Sequence, residues 1–204
     1  MNVVPTRMEL LKNRKRKKVA IKGHSLLKKK RDVLIRKFFE LIDVYKNLKV
    51  DTIKKLSDAY KTLQIAQGVS GVNRVKSLSF SSEKSFDILI HQKNLMGVKV
   101  PSYIVKKNKA DFNASLVGVS YYVEEARNKF LDLTPQLVKL AEIEKVIYEL
   151  ALEIKKTKRR VNALEYVKIP ELEQIEKIIS DKLAEIEREN FIRLKNVKEK
   201  ISNS

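Results

Sequence analysis

The chain has 204 residues, a formal net charge of +19 and no cysteine, which excludes structural disulfides and thiolate metal sites. Five glycines, four prolines and 7% aromatics beside 34% charged residues fit long helices better than a compact globule. No apolar run approaches the ~20 residues needed to cross a bilayer, and Met1–Met8 lacks the apolar core of a signal peptide.

The first predicted element is a long helix over residues 1–67. It opens in a concentrated positive field, with 14 basic and 2 acidic residues between Arg7 and Lys37. Such a field suits an acidic protein surface, nucleic acid or anionic lipid, although a charge run is most often a solvated face. Leu34, Phe38, Leu41, Tyr45 and Leu48 step by four and three; after a skip through Thr52 the steps resume at Leu56, Ala59, Leu63 and Ala66. That is a coiled-coil seam carrying one stutter. Gly23 lies inside the helical stretch at a cost of about 1 kcal/mol against Ala. It reads either as tolerated strain or a break, or as a place where a neighbour approaches the backbone.

Residues 68–119 form a central insert. Gly68-Val-Ser-Gly71 ends the first helix, and Ser77, Ser79, Ser81, Ser82 and Ser85 mark a turn-rich stretch. Phe86, Ile88 and Ile90 alternate at strand period, and Val98, Val100 and Pro101 close a second run. The two runs predict a β-hairpin over about 86–103 with Gln92–Gly97 as a longer loop. Pro101 places its strand at an edge or a strand end. The change of period marks the hairpin as a partner-contact or regulatory element.

A second long helix is predicted over residues 120–204. Leu137, Leu140, Ile147, Leu150, Ile154, Val161 and Leu164 give its seam, continued by Leu172, Ile175, Ile179, Leu183, Ile186, Leu194, Val197 and Ile201. Pro170 predicts a kink or short break near Val167–Glu171. The fold class is therefore mainly α: a long antiparallel two-helix coiled coil with a small β-hairpin insert at the turn. The expected register sets Leu41 near Leu164 and Gly68 near Leu137, with both termini at one end.

Reactive constellations are missing from this reading. The two histidines, His24 and His91, lie far apart in the proposed fold, there is no zinc ligand set, and the phosphate-binding Gly-x-x-x-x-Gly-Lys-Ser/Thr pattern is absent. His24 reads as a helix-packing or partner-contact residue. The expectation is a chain that is not an enzyme on its own and binds no cofactor.

Three blocks carry a resemblance. They are Pro5-Thr-Arg-Met-Glu-Leu-Leu11, then Gly23-His24-Ser-Leu-Leu-Lys-Lys-Lys30-Arg31-Asp32, and late in the chain Lys158-Arg159-Arg160-Val-Asn162-Ala163-Leu164-Glu165-Tyr-Val167 running into Ile169–Glu173. Together they resemble the signature blocks of the D subunit of the V-type and A-type rotary ATPases. The resemblance covers almost the whole chain, with Gly71 to Ser120 matching only in layout. It implies a central rotor shaft that couples ATP hydrolysis or synthesis to proton or sodium transport. The terminal end of the shaft would enter a ring of catalytic A and regulatory B subunits, which hold ATP and magnesium. The small F subunit would lie alongside, and an adaptor of the C/d type would link the shaft to the membrane ring. In that arrangement Arg7, Met8, Leu11, Lys12, Leu194, Val197 and Ile201 are the expected ring contacts. The expected location is the cytoplasmic face of a bacterial or archaeal plasma membrane, without direct insertion and without nucleic acid. The rival reading from another class is a basic coiled-coil protein that binds nucleic acid through steeply salt-dependent phosphate contacts.

Overall fold

The structure is a computed structural model describing residues 4–80, 85–108 and 120–202. Its elements in chain order are α1 (Arg7–Ser70), α2 (Val72–Phe80), β1 (Phe86–Leu95), β2 (Val98–Lys107), α3 (Tyr121–Ala163), a π-helical turn (Leu164–Lys168) and α4 (Ile169–Ser202). The fold is mainly α, an antiparallel two-helix coiled coil with a small central hairpin. The chain divides into two compact units. One joins the residues up to Val33 with those from Ile154 onward, and the other runs from Leu34 to Glu153.

In the first unit, α1 starts with a side-chain cap. Thr6 Oγ1 accepts the Glu9 N–H at 3.2 Å, at the Ser/Thr-x-x-Glu spacing of a capping box. Cross-helix contacts set an antiparallel register: Arg7 meets Glu187, Arg14 meets Glu176, and His24 meets Glu165. The inward positions of α3 and α4 are Thr157, Val161, Leu172 and Ile179, all buried.

The π-turn explains how Pro170 is accommodated. The predicted kink at Val167–Glu171 is not a break. The Ile169 N–H reaches back five residues to the Leu164 carbonyl, and helix continues through Pro170. A regular turn would press the proline ring on the Tyr166 carbonyl, and the wider turn relieves this. The extra residue also rephases the helix. Steps of four and three from Thr157 through Val161 would carry Lys168, Glu171 and Ile178 inward; instead Leu172 and Ile179 face α1, while Ile178 is exposed.

In the second unit the same antiparallel pairing appears between α1 and α3. Lys55 donates to Gln136 at 3.2 Å, Lys129 to Thr62 at 2.8 Å, and Tyr60 packs edge-on against Phe130 at 5.5 Å. The expected register is therefore wrong by about four helical turns. The physical reason is that α1 runs on to Ser70 and α3 begins at Tyr121, so pairing starts from those ends. Leu34, Ala59 and Ala66 are buried, and Thr52 occupies a seam position itself. Its hydroxyl bonds the Leu48 carbonyl of its own helix at 2.7 Å, which satisfies the oxygen where the stutter falls.

Gly71 ends α1 in the left-handed region at φ 81, its N–H bonding the Gln67 carbonyl at 2.9 Å. The expected turn-rich serine stretch is partly a helix. Ser77 and Ser79 sit on α2, their hydroxyls bonded to the carbonyls of Asn73 and Lys76; Ser81 and Ser82 lie outside the described residues. The hairpin is longer and tighter than expected, with Leu95 opposite Val98 and only Met96-Gly97 between them. Both turn residues have positive φ, 54 and 85, the two-residue turn that follows the natural strand twist. Ser120 caps α3 by accepting the Tyr122 N–H at 3.4 Å.

Candidate partner interface

Among the described residues, the first unit ends in a helix with no partner beside it. Arg7 Nη2 contacts Glu187 Oε1 at 2.7 Å at the start of α1, while α4 continues to Ser202. Beyond Glu187 no residue of α1 remains to cover it. Phe191, Leu194, Val197 and Ile201 are 71%, 69%, 54% and 72% exposed. The expected seam therefore closes at Leu183: Leu194, Val197 and Ile201 are exposed because the register slides α1 short of them, and Ile186, still beside α1, is 42% exposed. On α1, Met8 and Leu11 are also exposed, at 81% and 64%. Lys12 makes a long contact to Glu9 at 3.8 Å. All seven residues expected at the terminal surface are thus exposed, the apolar ones being Met8 and Leu11 on α1 and Leu194, Val197 and Ile201 on α4.

The basic field contains two contrasting sets. Arg14 and Lys17 are committed across the helix pair, with Arg14 at 2.9 Å from Glu176 and Lys17 at 3.2 and 3.3 Å from Glu173 and Glu176. A hydrogen bond from Arg14, with a further one from Lys17, pulls the Glu176 carboxyl below its ordinary range. The Glu173 and Glu176 carboxylates raise the Lys17 ammonium above its own. By contrast Lys15, Lys18, Lys22, Lys28 and Lys29 are exposed, without an ion-pair partner among the described residues.

Two of the signature blocks meet each other. His24 Nε2 lies 3.3 Å from Glu165 Oε2, and Glu165 sits in the π-turn. Arg31 pairs with Asp32 at 2.8 Å, while Arg159, Arg160, Asn162 and Ala163 are exposed. Lys30 and Leu164 are half-buried. Gly23 has open space where a Cβ would stand, so no contact among the described residues requires a glycine there.

Sequence reasoning passes over Asn13. It is 3% exposed, and its Nδ2 donates to the Leu172 carbonyl at 2.8 Å. A single polar residue between charged neighbours gives no period signal of its own. Its position three residues from Leu10 and four from Lys17 on the inward face is the available clue.

In the second unit the hairpin has one packed strand and one open strand. Val98, Val100 and Ser102 are buried, whereas β1 is exposed from Asp87 through Asn94. Phe86, Ile88 and Ile90 do share a face, with Pro101 and Tyr103 opposite Gln92 and Ile90, but Val98 and Val100 point to the other one. An apolar cavity of about 390 Å³ lies at the hairpin base, lined by Leu63, Val75, Leu78, Phe86, Phe130 and Leu131 among others. Among the described residues no three His, Asp or Glu side chains gather to hold a metal. No described helix is long and apolar enough to cross a membrane.

Comparison with known proteins agrees with this arrangement. The family model for the ATP synthase D subunit matches residues 9–199. The chain is 42% identical to the A-type ATP synthase D subunit of Pyrococcus abyssi over 97% of its own length and 94% of the relative's. It is 43% identical to the same subunit of Methanobrevibacter smithii, over 97% and 87% of the two lengths. With Methanopyrus kandleri the identity is 42% over 98% and 87%. The long paired helices, the central hairpin and the matched span together show that this chain belongs to the family of ATP synthase D subunits.

Proposed function

We propose that the chain is the central-stalk rotor of a rotary ATP synthase and itself carries out no catalysis. Its terminal end turns inside a ring of catalytic A and regulatory B subunits that hold ATP and magnesium. The F subunit lies alongside, and an adaptor joins the shaft to the membrane ring, so that nucleotide turnover is coupled to proton or sodium transport.

The observation carrying this reading is the overhang of α4 past the Arg7–Glu187 pair, which leaves Phe191, Leu194, Val197 and Ile201 uncovered. An apolar end without an intramolecular partner among the described residues is suited to a sleeve formed by other subunits. Sliding contact there is compatible with rotation because apolar association is non-directional. The exposed lysines of α1 add contacts worth about 0–1 kcal/mol each, weak enough to be made and broken at every step. The hairpin is read as a regulatory or partner-contact element through the face of Phe86, Ile88, Ile90 and Pro101; Val98 and Val100, expected with them, are buried on the other face and support the hairpin from within.

The test is co-purification. The full chain, co-expressed with ring subunits, is expected to bring down the nucleotide-binding ring, and truncation after Glu187 is expected to weaken that capture. Recovery of nucleic acid in place of the ring favours the basic nucleic-acid-binding alternative.

A further inference from the structure

The open edge of the hairpin carries an inference independent of the rotor reading. Pro101 sits within β2 opposite Gln92. In an antiparallel pair, alternate residues exchange both ladder bonds and the residues between them turn N–H and C=O outward. A residue without an N–H is tolerated only at an outward position. Pro101 and Gln92 are therefore outward, and so are Ile90 and Ile88, two and four residues along β1 from Gln92. The outer edge of β2 lacks a donor at Pro101. The outer edge of β1 keeps its donors at Ile88, Ile90 and Gln92, with the Ile88 and Ile90 side chains 50% and 69% exposed. A long strand with apolar side chains and an intact edge is a template for another strand.

We propose that two copies of the chain, free of other subunits, pair antiparallel along β1 about Ile90 to form a four-stranded sheet. The argument for a second copy as occupant is self-complementarity. With Ile90 opposite Ile90 of the second copy, Ile88 falls opposite Gln92, and Asp87 opposite Lys93, twice by symmetry. Asp87 and Lys93 are both exposed and share a face of the strand. Asp87 Oδ2 accepts a bond from Asn108 Nδ2 at 2.8 Å, which leaves its other oxygen for the incoming ammonium. Outward-facing positions coincide in this register, so each pair of outward residues can exchange its backbone bonds. Opposite charges directly across a strand pair are stabilising and like charges are not.

Sedimentation of the full chain tests this across the micromolar range. The expected result is a concentration-dependent dimer whose dissociation constant rises at least about tenfold in Ile90→Pro, which removes an outward donor and leaves the inner ladder. Asp87→Lys alone and Lys93→Asp alone should each weaken the dimer, because each sets like charges opposite, while the double exchange Asp87→Lys/Lys93→Asp should restore it. A chain that stays monomeric throughout that range overturns the proposal. So does a dimer indifferent to the single exchanges but lost on Phe191→Ser/Leu194→Ser, since that association runs through α4. Failure in either form leaves the rotor reading untouched, because ring co-purification is read separately.

Discussion

Asn13, 3% exposed, donates from Nδ2 to the backbone carbonyl of Leu172 at 2.8 Å across the helix pair, beside the Arg14–Glu176 ion pair. A backbone carbonyl has a second lone pair beyond its own helix bond, so the contact does not unwind α4. A lone buried polar residue in a coiled coil fixes register at some cost in stability. Replacing Asn13 with Leu is expected to leave the chain at least as stable in urea. Its register should loosen, seen as reduced disulfide yield from an Arg7→Cys/Glu187→Cys pair.

The π-turn is expected to depend on seam phase more than on Pro170. Pro170→Ala should change stability by less than about 1 kcal/mol, because Leu172 and Ile179 still require the extra residue. Deleting Val167 would rotate α4 by about 100° relative to α1. Leu172 and Ile179 would then leave the seam, and urea unfolding should show a loss comparable to emptying two buried aliphatic sites, about 4 kcal/mol or more.

The Arg14–Glu176–Lys17–Glu173 cluster predicts a pH window. Glu176 is lowered from 4.5 in the fold, so its stabilisation is present above about pH 4.5 and is lost as pH falls through the lowered value. Lys17 is raised from 10.5, so its contribution is complete below that value and is lost as pH rises through the raised one. Glu176→Gln should flatten the acid limb of a stability-against-pH curve, measured by urea unfolding, with the plateau between the two limbs retained.

The two faces of the hairpin should respond differently. Ile90→Asp is predicted to change stability by less than about 0.5 kcal/mol, as exposed positions usually do. Val100→Asp places a charge at a 5% exposed position and should unfold the hairpin outright. In a complex assembled with ring subunits, Ile90→Asp should still alter hydrolysis rate or coupling if this face meets a partner. Unchanged hydrolysis and coupling would remove the regulatory role.

Much of the fold is readable from apolar spacing. The steps from Leu34 to Ala66 identify one helix, and the skip at Thr52 identifies the stutter, because a core position every three or four residues leaves a direct trace. Spacing identifies faces and does not say which residue of one helix meets which residue of the other. The register expected from it is therefore off by about four turns, and it carries Leu194, Val197 and Ile201 into a seam that ends at Leu183. The π-turn is hidden for a related reason. Pro170 announces a disturbance, but the inward shift from Val161 to Leu172 becomes visible only once α1 is beside it. At the hairpin, Met96 gives no turn signal, since positive φ is ordinarily the province of Gly, Asn or Asp. The terminal surface is located by resemblance, and its exposure follows from the register.

The central claim is that the terminal end turns inside a catalytic ring. It is tested most directly by a single cysteine at Met8 or Leu194, both exposed, paired with one on a facing ring subunit. The chain has no native cysteine to confuse the result. Oxidation should lock shaft to ring, stop continuous ATP hydrolysis while nucleotide still binds, and be reversed by reduction. A control disulfide to the small stalk partner that turns with the shaft should leave hydrolysis running. Complete cross-linking to the ring with hydrolysis undiminished would contradict the account.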